Sequence, residues 1–448
     1  MSSLLLGVLL VYSFSYAVQA VSISLPLSTP SSAASLDPAL LSLSIEQDMW
    51  PDWAGTTSPN TFFHNTLTTV FPAATNTTPY PEATIVTVGD GFYDIASHLP
   101  RGTHIIWGVN LRQNNLTAAF LGAKAIKGAF GSSAVKNAEY VKEWKLFASN
   151  VSVAGGIHSG PGPKFFGGAF AESLQNTSLF SPQSAISHGL LDLAPGKWIT
   201  TFSQHRYSGS FCAGSGGLLQ DLMTKATIRS NLTIIETNSY ACHGAPGVSN
   251  TAGAALWTLD YTLFASQIGI SKVYYHQGVG YKYSMIQPTT LTRSIFDGAA
   301  LPEPQPPHIQ PQYYATLIVG EAIGSSGSAK RVELDIDDTR LAGYAFYERG
   351  TLKRAVLINS QAYLSTDTGA RSSKHVSFSF NGSGQSPKTV TIKRLAIKHA
   401  DDASGLTWGG QSFETTDAKP RGALSTQTLN VDAGVDIADT EAVMLTFH

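Results

Sequence analysis

Glu236 closes an apolar, β-rich run, Leu232-Thr233-Ile234-Ile235, and is followed at once by Thr237-Asn238-Ser239-Tyr240. A carboxylate delivered from a strand end is suited to attack an anomeric carbon. In a retaining glycosidase one carboxylate takes that role while a second carboxyl group serves as general acid/base. Three further polar clusters follow predicted strands: Asn110-Leu111-Arg112-Gln113-Asn114, His205-Arg206-Tyr207 and His276-Gln277-Gly278-Val279-Gly280-Tyr281. A carboxylate, amides, hydroxyls and aromatics without metal-ligand spacing suit carbohydrate better than phosphate or nucleotide, and neither a metal nor a cofactor is expected. Gly214-Ser215-Gly216 does not meet the Gly-x-Ser-x-Gly spacing, and there is no His-Glu-x-x-His. The pairs Gly89/Gly91 and Gly278/Gly280 lack the third glycine of a dinucleotide loop. Glu46 and Asp48, near another strand end, read more as partners of neighbouring strand ends than as lining of a site.

These groups need a scaffold that gathers strand ends. Predicted strands at 40–46, 104–109, 164–169, 198–204, 232–235 and 271–276 alternate with helical stretches at 116–130, 139–147, 218–226 and 251–267. That alternation predicts a parallel sheet in an α/β fold, and at this length a (β/α)8 TIM-type barrel, whose catalytic groups lie where strands end at the C-terminal face. Six strands are recognisable where eight are needed. After one more helix at 313–323, the run Gly324-Ser325-Ser326-Gly327 marks a boundary. Short β-runs without intervening helices follow and predict an antiparallel β-sandwich. The expected division is a signal peptide at 1–20, a strand and linker at 21–35 able to pair with the C-terminal β-domain, a barrel at 36–324 and a sandwich at 325–448.

Charged residues make up 13% of the 448 and the formal net charge is −2, which disfavours nucleic acid as a partner. Residues 4–17 form an apolar run too short to span a bilayer, ended by Val18-Gln19-Ala20. This reads as a secretory leader cleaved after Ala20, a membrane anchor being the alternative because no Lys or Arg precedes Arg101. The product would be extracellular, with no membrane attachment, and a monomer. Six sequons agree with that route: Asn76, Asn115, Asn150, Asn176, Asn231 and Asn381. In an oxidising compartment Cys212 and Cys242 are expected to form a disulfide, two buried thiols being the alternative.

The segment from Glu236 to Gly253 resembles the nucleophile region of fungal glycoside hydrolase family 79, the β-glucuronidases related to heparanase. So do Ile45-Glu46 with Trp50-Pro51-Asp52-Trp53-Ala54-Gly55, the run Thr87-Val88-Gly89-Asp90-Gly91-Phe92-Tyr93, Trp107-Gly108-Val109-Asn110, Tyr207-Ser208-Gly209-Ser210-Phe211-Cys212 and Gly280-Tyr281-Lys282-Tyr283. Ala342-Gly343-Tyr344-Ala345-Phe346-Tyr347 and Trp408-Gly409-Gly410-Gln411-Ser412 resemble the family's C-terminal β-domain. The resemblance implies a retaining hydrolase of terminal β-D-glucuronosyl or 4-O-methylglucuronosyl residues on oligosaccharides or polysaccharides. Glu236 would be the nucleophile and Tyr207 would orient it. Gly280, Tyr281 and Tyr240 would receive the glucuronate carboxylate, with Asn110 and His205 also lining the substrate site.

The usual acid/base of this barrel class is the glutamate of an Asn-Glu pair, and no such pair exists in the sequence. Between Asp94 and Glu236 the only carboxylates are Glu139, Glu143, Glu172, Asp192 and Asp221, of which Glu172 has the best strand-end setting. In similar proteins a strand bearing Asn-Glu separates the segments matching 134–138 and 140–144, which are fused here. A second strand between Asn65 and Pro81, and a helix before Ile235, also look excised. Skipped exons or an incomplete gene model would explain three such losses; a non-catalytic carbohydrate-binding pseudoenzyme is the alternative. A lectin-like role for the sandwich alone is a further reading.

Overall fold

The computed structural model describes residues 19–70, 74–78, 91–101, 103–107, 141–160, 164–170, 181–214, 216–231 and 236–448. The predicted helix at 116–130, and Asn110, Asn115, Glu139, Glu172 and Asn176, lie outside them. The chain opens with β1 (Gln19–Pro26) and the short β2 (Ala34–Ser35), both of which join sheets built from the C-terminal part. Then come β3 (Leu41–Glu46), β4 (Ala74–Thr78), β5 (His104–Trp107), β6 (Phe165–Phe170), β7 (Ile199–Ser210), β8 (Glu236–Ala241) and β9 (Val273–Gln277).

Strands β3 to β9 form one seven-stranded sheet in the order β5-β4-β3-β9-β8-β7-β6, and every pair in it is parallel. The first and last strands of the run are thus neighbours, as in a rolled sheet, and among the described residues the order ends at β5 on one side and β6 on the other. β3 is buried along its whole length and so is β9, as expected for parallel strands covered on both faces.

Three expectations are corrected. The second strand, expected to be lost, is supplied by Ala74–Thr78, which pairs with β3 on one side and β5 on the other. Threonine favours extended backbone, and the two flanking strands need partners for their N–H and C=O groups. The predicted strand 198–204 continues to Ser210. The predicted strand 232–235 lies outside the described residues, and β8 runs on from Glu236 along the ladder that the longer β7 supplies, so that Thr237 to Ala241 extend despite their polar composition. The predicted helix at 218–226 is two helices, Leu219–Met223 and Lys225–Asn231, parted at Thr224, whose ψ of 129° is extended.

After β9 come β10 (Ile286–Gln287), β11 (Leu291–Arg293), β12 (Ala300–Gln305) and β13 (His308–Ile309), which pair as two short antiparallel ladders, β10 with β13 and β11 with β12. The C-terminal part contains β14 (Lys330–Glu333), β15 (Leu341–Glu348), β16 (Thr351–Asn359), β17 (Ser373–Asn381), β18 (Thr389–Ala396), β19 (Thr407–Trp408), β20 (Gln427–Asn430), β21 (Val435–Ala438) and β22 (Glu441–Phe447). An eight-stranded sheet holds β2, β14, β15, β16, β22, β18, β19 and β20, and a three-stranded one holds β1, β17 and β21. Ile23, Leu25, Val376 and Ile437 from the smaller sheet meet Ala345, Leu357, Ile392 and Leu445 from the larger in one apolar cluster. β1 runs parallel to β17, and cleavage after Ala20 would remove two of its residues, Gln19 and Ala20, which pair with Lys374 and His375.

The helix Ala252–Gln267 is buried on every side except at Phe264 and Gln267, so it is not the one-faced helix that its three-and-four spacing predicts. It lies between the parallel sheet and the C-terminal strands, and a helix covered on both sides is apolar all round. Its one carboxylate, Asp260, accepts from Arg229 Nη1 at 2.6 Å, and Arg229 Nη2 reaches Glu333 of β14 at 2.5 Å. The Tyr344 hydroxyl of β15 bonds both Arg229 and Asp260. Burial works against the Arg229 charge, but Asp260, Tyr344 and Glu333 more than offset it and raise its pKa. Arg331, fully buried, donates to Ser266 and Gln267 and is pushed down to about 10, chiefly by burial.

Acid should destabilise the C-terminal strands. Burial tends to raise the Asp338 pKa, but Lys374 Nζ at 2.7 Å and the backbone N–H groups of Arg340 and Leu341 outweigh it and hold it below the ordinary value. Glu348 is likewise lowered, by Arg354 and Ser326 against the effect of burial. A carboxyl group lowered on folding contributes stability that is present above its unfolded pKa and is lost as pH falls through the folded one. Urea midpoints measured downward from neutral pH should therefore fall below about pH 4, and Asp338→Asn should flatten that slope.

Candidate active site

Parallel register and strand alternation assemble the site. Residues paired across a parallel ladder share a face, and so do residues two apart on one strand. Tyr275 of β9 bonds Thr262 on the helix Ala252–Gln267 at 2.8 Å, so its face is the helix-covered one. Thr237 of β8 is on that face too, against Tyr261. The opposite face carries Ser44 and Glu46 of β3, Tyr274 and His276 of β9, Asn238 of β8, and His205 and Tyr207 of β7.

Glu46 lies at the centre of this inner face. It is 2% exposed, and its Oε1 is 2.7 Å from His276 Nε2 and accepts from the Tyr281 hydroxyl at 3.4 Å. Tyr283 packs its ring against Tyr281 at 5.5 Å and against Tyr207 at 6.1 Å, and a hydrogen bond links it to Tyr207. Burial first, then the neighbouring Tyr207, Tyr281 and Glu46, raise the Tyr283 pKa well above its ordinary value. Asn238, 1% exposed, donates to the carbonyls of His276 at 2.9 Å and Tyr283 at 3.3 Å. The loop after β9 is sewn in place: Ser284 Oγ bonds both N–H and C=O of Gly278, and Gln277 Oε1 accepts from Met285 N–H. Gly278 must be glycine, because a Cβ there would come within 2.2 Å of the Tyr281 ring.

Several sequence-predicted residues converge here and others do not. Glu236 pairs with His205 on one side and Tyr274 on the other, one two-residue repeat deeper in the sheet than Tyr207 and His276. His205 is a mid-strand residue, because β7 runs past it. Tyr207 pairs with Asn238. Tyr281 has its hydroxyl on Glu46, and Gly280 gives its N–H to Gln287 Oε1 at 2.7 Å, so that amide already satisfies an internal acceptor. The ring of Tyr240 lies against Gly209 and its hydroxyl against Gly217, which makes it a wall of the β7–β8 corner. Burial is the main cause of its raised pKa.

Asp192 and Asp221 are exposed, and Glu143 is on the helix Val141–Gly155. Among the described residues, none of these stands at the mouth where an acid/base would act. The sequence placed Glu46 at a strand end, but its main partner, His276, lies 230 residues away. Only the order of the sheet reveals that contact.

Of the sequons, Asn76 lies within β4, between two strands, and not on the surface loop an acceptor needs. Asn150 lies on the helix Val141–Gly155, Asn231 ends the helix Lys225–Asn231, and Asn381 is exposed at the end of β17, donating to Ser24 Oγ. Cys212 and Cys242 form a disulfide, with Cα atoms 5.1 Å apart, joining the loops that follow β7 and β8. Among the described residues no group of three or more His, Cys, Asp or Glu could hold a metal, and no helix is long and apolar enough to cross a membrane.

Residues 343–444 match the family model of the glycosyl hydrolase family 79 C-terminal beta domain. The chain is similar to a beta-glucuronidase of Neurospora crassa, 26% identical over 528 residues that include 91% of this chain and 90% of that protein. This aligned length exceeds the chain's own 448 residues, so segments of the relative without counterpart here interrupt the match. A beta-glucuronidase of Aspergillus niger is 30% identical over 218 residues, 46% of this chain and 38% of that protein. In fold, the chain is similar to a 4-O-alpha-L-rhamnosyl-beta-D-glucuronidase from Fusarium oxysporum, solved as a complex with Rha-GlcA. The TM-score is 0.71 at 20% identity, covering 95% of this chain and all of that one. A GH51 arabinofuranosidase from Xanthomonas axonopodis pv. citri follows with a TM-score of 0.57 at 12% identity, covering 96% of this chain and 100% of that chain.

Proposed function

From the premise that this chain belongs to glycoside hydrolase family 79, we propose that it is a secreted, retaining hydrolase of β-glucuronidase type with weakened acid assistance. Its fold in this reading is a (β/α)8-type barrel followed by a β-sandwich. The observation that carries the reading is the adjacency of β3, β7, β8 and β9, which brings Glu46, Tyr207 and His276 to one inner face and pairs the backbone of Glu236 with His205 and Tyr274. A buried carboxylate, an imidazole and phenols make a polar end-pocket suited to the hydroxyl and carboxylate groups of one terminal sugar.

In the first step the Glu236 carboxylate forms a bond to C1 while the bond from C1 to the leaving oxygen breaks, and the electron pair goes to that oxygen. A sugar alkoxide needs a proton as it departs; a dinitrophenolate does not. Water or azide then displaces Glu236 from C1 and restores the first configuration at that carbon. Tyr207 is a positioning residue for the nucleophile.

Dinitrophenyl β-D-glucuronide should therefore release phenol, with azide accelerating turnover and giving β-glucuronosyl azide. Phenol release by Glu236→Gln should fall to the uncatalysed level. Equal release by that variant would sink the reading. Sequencing the transcript across Asn137 to Glu139 tests the fused segment separately: an in-frame insert encoding Asn-Glu would identify a complete enzyme.

A further inference from the structure

Beyond the end-pocket, and resting on the β-glucuronidase reading, we propose that Phe296, with His243 and Phe211, forms the platform for the sugar ring to which the terminal glucuronosyl residue is attached. Among the described residues, Phe296 is the one aromatic side chain in the set of large exposed apolar groups, at 41% exposure. It sits at the tip of the β11–β12 hairpin, and that tip is firmly built. Ser294 N–H bonds Ala299 O at 2.8 Å, Gly298 N–H bonds Ser294 O at 3.0 Å, and Phe296 N–H itself reaches Ser294 Oγ at 3.3 Å. The base of the hairpin packs on the turn at Gly280, where an added Cβ would lie 3.4 Å from Ile295 and 3.7 Å from Leu291.

From Tyr281 the rings step outward. The Tyr281 hydroxyl faces Glu46 inside, while His243 covers its ring at 4.3 Å with 31° between the planes. His243 is 6.4 Å from Phe296 with 55° between the planes, and Phe296 meets Phe211 edge-on at 5.6 Å and 76°. The rings step from a buried polar end to the exposed face of Phe296. The inner end suits the terminal, carboxylated sugar; the apolar C–H face of the next ring suits the aromatic steps.

The backbone holds these rings deliberately. Cys242, His243 and Gly244 have φ of 62°, 69° and 86°, a left-handed run that is costly for the two non-glycine residues. The Cys212–Cys242 disulfide ties that run to the loop carrying Phe211, and Lys282 N–H bonds His243 O at 2.7 Å. Left-handed non-glycine residues cluster where a side chain has to be aimed, and here the residue aimed is His243.

The test compares affinities of the full chain for D-glucuronic acid, a β-glucuronosyl-(1→6)-galactose disaccharide and rhamnosyl-(1→4)-glucuronic acid by calorimetry, in a Glu236→Gln background that prevents turnover. The disaccharide should bind more tightly than glucuronic acid. Adding Phe296→Ala should remove about fivefold to tenfold of its affinity and leave that of glucuronic acid unchanged, while Phe296→Trp should keep the preference. An undiminished disaccharide preference in Phe296→Ala overturns the platform. So does a Phe296-dependent gain confined to the rhamnosyl ligand, which would assign the rim to the other end of the sugar. Failure of all three ligands to bind overturns the underlying glucuronidase reading and the platform with it.

Discussion

A glucuronosyl residue linked to another sugar should be released at least about 10²–10⁴-fold more slowly than by an enzyme that keeps its general acid, the factor that such an acid contributes, while dinitrophenyl β-glucuronide loses little. The expectation follows from the sequence and the sheet together. The sequence contains no Asn-Glu pair, and among the described residues β5 and β6 are the two ends of the sheet order. Nucleophilic attack does not require the missing carboxyl group, but protonation of a poor leaving group does. A plot of log kcat/KM against leaving-group pKa should therefore be steep, with a slope near the limit for an unassisted departure. A shallow plot would mean that another group donates the proton.

The second large effect is on stability. Arg229→Met should cost about 3–5 kcal/mol, because it leaves two carboxylates, Asp260 at 1% exposure and Glu333 at 21%, without their shared cation. These three residues join the helix Lys225–Asn231, the helix Ala252–Gln267 and β14, so the loss is felt between the parallel sheet and the C-terminal strands. The double change Arg229→Met with Asp260→Asn removes the stranded charge as well and should recover a substantial part of the stability. Urea titration of the two variants against the parent checks both statements. If the single and double variants unfold at the same midpoint, the cost is lost packing over Phe264, whose ring lies 4.5 Å from the Arg229 guanidinium, and not an uncompensated charge.

Local chemistry made some elements readable. The helix Tyr313–Ile323 has the bounds expected from an apolar run between Pro311 and Gly324. Strands β15, β16, β18 and β22 fall within a few residues of the β-runs at 342–347, 353–358, 389–395 and 443–447, which are readable because β-branched and aromatic residues dominate them. β4 and β8 were not readable in the same way. Ala-Thr-Asn-Thr-Thr and Glu-Thr-Asn-Ser-Tyr-Ala have little apolar alternation, and they are strands because long neighbours offer them a ladder. For the site, the residue types at Tyr207, Glu236 and Tyr281 were legible. Their geometry was not, because it depends on β3 lying beside β9, a pairing of strands more than 200 residues apart. The same non-local pairing turns Glu46 from a strand-end carboxylate into the centre of a buried polar cluster, and it directs Tyr281 inward to that cluster.

The most direct measurement is to trap the covalent intermediate. Incubation with 2,4-dinitrophenyl 2-deoxy-2-fluoro-β-D-glucuronide, followed by peptide mass spectrometry, should find one fluoroglucuronosyl group esterified to the peptide containing Glu236, and none on the Glu236→Gln chain. A stoichiometric adduct on any other carboxylate, or an unmodified protein beside released dinitrophenol, would contradict the assignment of Glu236 as the nucleophile.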